Sequence, residues 1–533
     1  MKTQRWFLIL GALAPSLVGL GLVMGGVFAD PSGVVTGTVV DADGPVSGAV
    51  VRQQTTANST ISGADGSFTL GGLPEGVTVT VTAWDEGYYP AGVEVVAPVS
   101  GVTITLRPHP VGDNPDHTWY TSMPDPDAPI GCGHCMVAFP QWVTNAHGTS
   151  GTNPRFFSLY NGTDLSGTSH IGGGYKDDFP GTAGNCATCH APGAATDDKF
   201  LTTDMNALVG VEREGVFCDF CHKVSDVYLN AATGLPYQNA PGVVSMQLNR
   251  PPSDTHMFYG PFDDVTRRVS YLALEKQSQF CAPCHQFSFW GTPIYESFRE
   301  WLESPYPAQG IECQTCHMVP TGVDYFVFPE KGGLIRDPQA IASHLQPGAA
   351  DERLLQNTVS MTVDARQVGR LLRVTASITN TQAGHHVPTD FPGRHMILTV
   401  AARDREGRGL AQEGGPVVPD WGGAQAGLPG KAFAKVLQDV ETGEAPVVSY
   451  WKQALIVSDN RIPAMASDVS RYAFTAPRAG DRVTVTVDLG FRRAFQGVMD
   501  ARGWESPDIP MESAVVSVSL RPTWQVFLPY VLR

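Results

Sequence analysis

The sequence predicts a multidomain chain in three parts: an N-terminal β-sandwich, a loop-rich middle with short α-helical pieces, and a C-terminal β-sandwich. Three observations predict it. From Val34 to about Arg107, and again from Thr358 to Leu520, short β-branched and apolar runs alternate with polar residues and are separated by turn signals. Between these stretches the periodicity fades, and a Cys-x-x-Cys-His pattern recurs four times. All ten cysteines of the 533 residues fall into five Cys-x-x-Cys pairs, so none is left over for a long-range disulfide.

The chain begins with an export signature, which sets its first boundary. Lys2 and Arg5 precede an apolar run from Trp6 to about Phe28, and Val27-Phe28-Ala29 supplies small residues for cleavage before Asp30. Residues 1–29 therefore read as a signal peptide, with a retained anchor as the alternative. Either way the remainder is exported, to the periplasm, the cell surface or beyond. A net charge of −16 argues against nucleic acid as a partner.

Residues 30–107 carry strand signals at Thr36 to Val40, Ala49 to Arg52, Ser67 to Leu70, Val77 to Ala83 and Val102 to Leu106, with turns at Asp43-Gly44, Asp65-Gly66 and Pro74-Glu75-Gly76. The phrases Gly37-Thr38-Val39-Val40-Asp41, Gly44-Pro45-Val46-Ser47-Gly48-Ala49 and Asp65-Gly66-Ser67-Phe68 resemble the carboxypeptidase regulatory-like domain. That resemblance implies a module without catalytic residues: a spacer or adhesion unit, or a structural cap on the middle part.

A Pro/Asp-rich linker over residues 108–130 leads to Cys132-Gly133-His134-Cys135-Met136, a pair with Met where the other four have His. Three readings stay open. Cys132 and Cys135 carry a haem with Met136 or a remote His on iron; they form a disulfide; or, with His134, they bind another metal.

The middle part, residues 131–350, is organised by Cys186-Ala187-Thr188-Cys189-His190, Cys218-Asp219-Phe220-Cys221-His222, Cys281-Ala282-Pro283-Cys284-His285 and Cys313-Gln314-Thr315-Cys316-His317. A shuffled chain of this composition would contain roughly 0.005 such motifs. The spacing suits covalent attachment of haem c, because two thiols add to the two vinyl groups of one porphyrin while the next imidazole reaches the iron. Zinc knuckles and redox disulfides also use Cys-x-x-Cys, but neither needs His after every second Cys. The motifs imply four covalent haems, or five with Cys132 and Cys135. The proximal ligands are His190, His222, His285 and His317, with Met136 as the candidate at the irregular pair. One helix is predicted, Tyr295 to Leu302, with Phe298, Trp301 and Leu302 on one face before Ser304-Pro305.

Residues 351–521 return to alternation at Val359 to Ala365, Leu371 to Thr379, Met396 to Ala402, Arg482 to Leu489 and Ser513 to Leu520, a second sandwich. A turn at Gly384-His385-His386-Val387-Pro388 would project imidazole from it. The apolar tail, residues 522–533, is too short to span a bilayer. Six-coordinate iron needs a second axial ligand. His147, His256, His344 and His385 are the predicted distal ligands, with His386, His170 and His117 in reserve.

The four regular motifs, with Ser304-Pro305-Tyr306 and Gly384-His385-His386-Val387-Pro388-Thr389, resemble exported bacterial multihaem cytochromes of the cytochrome c-552/4 type. The resemblance spans about Gly131 to Leu520. It implies closely packed, mostly bis-histidine haems and a C-terminal sandwich donating an axial His, and it supports His147, His344 and His385. Met136 departs from the family's pattern. Three functions are consistent with these residues: an electron carrier whose partners are redox proteins or other multihaem cytochromes, with membrane or cell-surface association open; a multihaem oxidoreductase for small nitrogen or sulfur species at the irregular site; and a haem-stiffened structural or adhesive surface protein. The first predicts no catalytic residues.

Overall fold

A computed structural model describes residues 32–124, 132–135, 137–197, 201–252, 255–477 and 480–521. The expected leader, the apolar tail, Met136 and the His134 side chain lie outside the described residues.

The N-terminal part forms two main sheets and a short ladder of Tyr88–Tyr89 with Arg107–Pro108. Ser67–Leu73, Gly33–Val40 and Val99–Thr105 make one; Ser59–Ile61, Val50–Gln53, Thr78–Trp84 and Ala91–Val96 make the other. Strand Ser67–Leu73 alternates exposed and buried residues, sending Phe68, Leu70 and Leu73 into a core with Val35, Val39, Val51, Val81 and Ile104. Gly37 is required in its strand, because a Cβ there would sit 2.0 Å from the Val102 carbonyl oxygen. This unit does not hang free. The Arg52 guanidinium pairs with Asp263 at 2.8 Å, Trp84 Nε1 donates to Ser270 Oγ, and Tyr89 Oη donates to the His256 carbonyl.

The segment expected as a linker is packed along residues 108–124. Arg250 is clamped by Asp113 at 2.7 Å and Asp197 at 3.0 Å, buried His117 bonds to Asp219, and Trp119 lies against Phe217. Its prolines and aspartates restrict the backbone and supply caps and ion pairs, which a packed arm uses as readily as a loose one.

In the C-terminal part, Val359–Val368, Leu371–Asn380, Ser467–Thr475 and Gln412–Gly414 form one sheet. Ala454–Asp459, Gly430–Asp439, His395–Arg403, Arg482–Arg492 and Ile509–Ser519 form the other. The two face each other across a continuous apolar core that includes Leu372, Val374, Ile378, Met396, Leu398, Phe433, Val485 and Val487. Sequence alternation misses Gly430–Asp439 because it is buried along nearly its whole length and so does not alternate. Its Lys435 ammonium reaches across to the middle part and pairs with buried Glu296 at 2.5 Å.

The middle part is built of short pieces. The four motifs form single helical turns at Ala187–His190, Cys218–Cys221, Ala282–His285 and Cys313–His317. Three two-stranded ladders and the eight-residue helix Pro154–Asn161, capped by the Asn153 side chain, connect them. The predicted helix starts at Ser297 rather than Tyr295, because Thr292–Tyr295 pairs as a strand and Glu296, at φ −135°, is not helical. Phe298 and Trp301 are buried as expected and pack around Ala282 of the third regular motif.

Candidate haem-binding cavity

Each motif's helical turn places two thiols and an imidazole within one turn of backbone. The His190 N–H donates to the Cys186 carbonyl, His222 to Cys218 and His285 to Cys281, at 2.9, 3.0 and 3.1 Å. The irregular pair forms a 3-10 turn, Cys132–His134, with Cys135 N–H donating to the Cys132 carbonyl.

The motifs meet through their thiols. Cys132 lies beside Cys218, Cys189 beside Cys284 and Cys281 beside Cys313, and Cys221 is near enough to act electrostatically on Cys281 and Cys284. The five pairs therefore form one unbroken series branching at Cys281 and Cys284. Cys281 and Cys313, 32 residues apart, come together, whereas Cys186 and Cys218, also 32 residues apart, do not, and Cys218 lies beside Cys132 of the irregular pair. The contacts lower the Cys218 and Cys313 thiols to about 7 each, while burial pushes Cys186 up to about 12.

Around this series lies a cavity of about 3020 Å³. Pockets for one small molecule run to about 1,000 Å³, so this space has room for several large cofactors. Eight of the ten cysteines and His147, His190, His222, His256, His285 and His344 line it, among aromatic side chains. Cys313, Cys316, His317 and His385 lie outside its lining, although Gln314 and Thr315 of the same motif belong to it.

Predicted distal histidines come together with motif histidines. The rings of His147 and His285 are centred 6.3 Å apart with planes at 86°, and those of His317 and His385 are 6.4 Å apart at 21°. Two imidazoles on opposite sides of one metal, each bonded at about 2 Å, have ring centres about 6 Å apart. His344 lies near His222; burial first, and then the His222 ring, push it down to about 4. His256 stacks on Tyr120 at 5.4 Å with a buried, unpartnered Nδ1, but no motif imidazole is in ring contact with it among the described residues. Nor does any imidazole make ring contact with His190, whose ring is stacked instead by Phe156 at 4.2 Å. Of the reserves, His170 is an exposed partner of Asp177, buried His117 is held by Asp219, and His386 faces Glu300 at 3.5 Å.

In the two facing pairs, three of the four imidazoles are held at Nδ1 by an uncharged acceptor. His317 donates from Nδ1 to the Pro347 carbonyl and His385 to the His386 carbonyl, each at 2.8 Å, and His147 to Gln346 Oε1 at 2.5 Å. That fixes the tautomer and leaves Nε2 with a free lone pair, as a metal-binding imidazole requires. Two motif histidines have a carboxylate nearby, His222 in addition to the Tyr259 carbonyl 2.8 Å from its Nδ1. Burial alone would push His222 down, but Glu275, 3.2 Å from Nδ1, outweighs it and lifts the ring to about 9. His285 Nδ1 faces Asp390 Oδ2 at 3.4 Å. Burial would raise that carboxyl; His285, Arg394 and Ser297 together hold it far below the carboxylate range.

Several of these supporting residues escape sequence reasoning. Asp390 is foreshadowed only by its place one residue after the Gly-His-His turn. Glu275 and Gln346 carry no local signal. Asn145 ties two ligand candidates together by donating to both the His344 carbonyl and Gln346 Oε1. Among the described residues no three His, Cys, Asp or Glu side chains converge on a metal-ion cage. The thiol pairs, the aromatic cavity and the Nδ1-anchored imidazoles instead fit haem c.

Comparison with known proteins agrees at the level of fold. Residues 34–109 match the carboxypeptidase regulatory-like domain, and none of the curated proteins matches the chain. Among solved structures, a penta-heme cytochrome c552 from Thermochromatium tepidum superposes with a TM-score of 0.54 at 20% identity, covering 72% of this chain and 97% of that one. A PapD-like domain of human CEP192, at 9% identity over 32% of this chain and 89% of that one, has a TM-score of only 0.14 and carries no argument.

Proposed function

We propose that this chain is an exported multihaem c-type cytochrome that relays single electrons. The observation that carries the reading is the placing of His147 opposite His285 and His385 opposite His317 at the spacing of two imidazoles sharing one iron. In this reading Cys186, Cys189, Cys218, Cys221, Cys281, Cys284, Cys313 and Cys316 attach four haems, and Cys132 and Cys135 a fifth. Haem c supplies a one-electron Fe(III)/Fe(II) couple when bound. The protein's part is to hold the axial imidazoles in one tautomer, to exclude water with aromatic walls, and to keep all five motifs in one contiguous series. The similar fold of the penta-heme cytochrome c552 supports this, as does the position of the C-terminal part's His385 beside the His317 ring.

The expected partners are redox proteins or other multihaem cytochromes. No helix among the described residues is long and apolar enough to cross a membrane. The N-terminal domain acts as a cap on the cavity, a reading supported by its contacts through Arg52, Trp84 and Tyr89.

A second reading, an oxidoreductase with an open iron, is favoured by His190, whose ring contact among the described residues is with Phe156 rather than with an imidazole. It moves the unusual site from the irregular pair to the first regular motif. Haem per chain, by intact mass of protein matured in a haem-attaching host, tests the main reading. At least four haems are expected; fewer would defeat it. Electron-spin spectra then separate the two readings, since uniformly low-spin iron would exclude an open position at His190.

A further inference from the structure

Among the described residues the buried cations pair with carboxylates, except Arg502, whose guanidinium is satisfied by the backbone carbonyls of Ser158, Thr163, Gly172 and Gly173. Arg250 pairs with Asp113 and Asp197, Arg336 with Asp264, Arg461 with Asp459 and Glu300, and Arg492 with Asp508. Three half-buried arginines in the cavity wall break this rule. Arg155, Arg394 and Arg493 all line the cavity, and among the described residues none has a carboxylate within ion-pair distance. Arg155 donates to the Glu505 carbonyl at 2.5 Å and Arg394 to the Thr389 carbonyl at 3.1 Å, both neutral acceptors.

Their position is defined by their neighbours. Arg155 precedes Phe156, which stacks on His190, and Arg394 lies four residues beyond Asp390, which faces His285. Asp390 acts electrostatically with Arg394, but its oxygens already accept from His285 Nδ1, Ser297 Oγ and the backbone N–H groups of Glu296 and Ser297. The cluster thus lies between His190 of the first regular motif, stacked by Phe156, and Asp390, which faces His285 of the third. Burial, together with the repulsion of Arg155 and Arg394, pushes the Arg493 guanidinium down to about 10. Like charges gathered in a partly desolvated wall are unfavourable unless an anion joins them, and guanidinium forks match carboxylate and oxyanion geometry bidentately.

We propose that Arg155, Arg394 and Arg493 form an anion-binding site for a carboxylate or oxyanion, either the propionate of a haem attached at Cys186 and Cys189 or a small dissolved oxyanion. The first source rests on the haem reading; the second does not. An acidic chain of net charge −16 that gathers three unpaired arginines here has built a local exception to its overall field.

The test uses the matured full-length protein and its Arg493→Gln and Arg493→Lys variants, with haem per chain measured by mass in each. Calorimetric titration with sulfate tests the dissolved source: saturable binding weakened at least tenfold in Arg493→Gln and partly restored in Arg493→Lys supports it. Redox-difference infrared spectra test the other source. Propionate carboxylate bands that shift in Arg493→Gln, without sulfate binding to the parent protein, support the propionate. If sulfate neither binds nor loses affinity in the variant, and the carboxylate bands stay in place, the proposal is overturned. Arg155→Gln repeats both measurements should Arg493→Gln fail to fold. A preparation without haem would defeat the haem reading while leaving the sulfate titration able to decide.

Discussion

The C-terminal sandwich and the middle part of this molecule reach order by opposite routes. In the sandwich, strands Val359–Val368 and Leu371–Asn380 pair residue for residue from Val359 with Asn380 to Val368 with Leu371, over a core that is apolar throughout. In the middle, regular structure is reduced to single turns and short ladders, apolar clusters such as that of Trp142, Phe217 and Phe220 stand beside buried ion pairs such as Lys223 with Asp219, and the centre is a cavity of about 3020 Å³. A sheet core is complete in its own side chains. The middle part is instead arranged around a cavity lined by cysteines, histidines and aromatic side chains, so a group bound there would add to its stability.

The largest expected effect comes directly from this contrast. When the full chain is produced without haem attachment, limited proteolysis is expected to cut within residues 131–350 while the two sandwiches survive as protected fragments. Equal protection throughout would break the comparison.

Phe433→Ala strikes the sandwich instead. Phe433 is fully buried there, and its truncation should cost about 3–5 kcal/mol, read as a lower denaturant midpoint for the sandwich transition with haem content unchanged. A coincident loss of haem would mean that the two parts fold as one unit.

The sandwich also has its own pH dependence. His395 is fully buried between Trp421 and Phe495, and burial holds it near 4, below the ordinary value of 6.5. Because the unfolded chain takes up the proton first, this group's contribution is complete above about pH 6.5 and declines as pH falls toward 4. The loss is at most about 3 kcal/mol. Denaturant midpoints at pH 7 and pH 4.5 should differ less in His395→Phe than in the parent; an unchanged difference would reject the assignment.

Two smaller effects probe the join between the regions. His385→Ala should turn one haem high-spin in the electron-spin spectrum without detaching it and with little change in the sandwich transition. If every haem stays low-spin, His385 is not a ligand. Asp390→Asn removes the carboxylate facing His285, making that imidazole a weaker donor to ferric iron, so one midpoint potential should rise while the others stay put. A potential that does not move would show Asp390 to be structural only.

Much of this was legible in the sequence because the signals are local. Alternation at Leu371 to Thr379 or Ser67 to Leu70 reports a strand with one covered face, and the Cys-x-x-Cys-His phrase contains both thiols and the imidazole within one helical turn. Other elements were hidden where that logic fails. Gly430–Asp439 is covered almost throughout, and Ala454–Asp459 exposes Leu455, Ile456 and Val457 at a sheet edge, so neither alternates as a half-buried strand should.

By itself, then, the sequence determined the two β-rich parts, the thiol and imidazole chemistry between them, and a set of spare histidines that included His147 and His385. The tertiary structure alone decided which motif touches which, that His147 faces His285 and His385 faces His317, that Asp390 and Glu275 stand behind two of the imidazoles, and that three arginines share one wall. The physical reason is range. Periodicity and covalent spacing act over a few residues, whereas an imidazole's partner or an arginine's counter-charge can come from anywhere in the chain, and only packing brings it near.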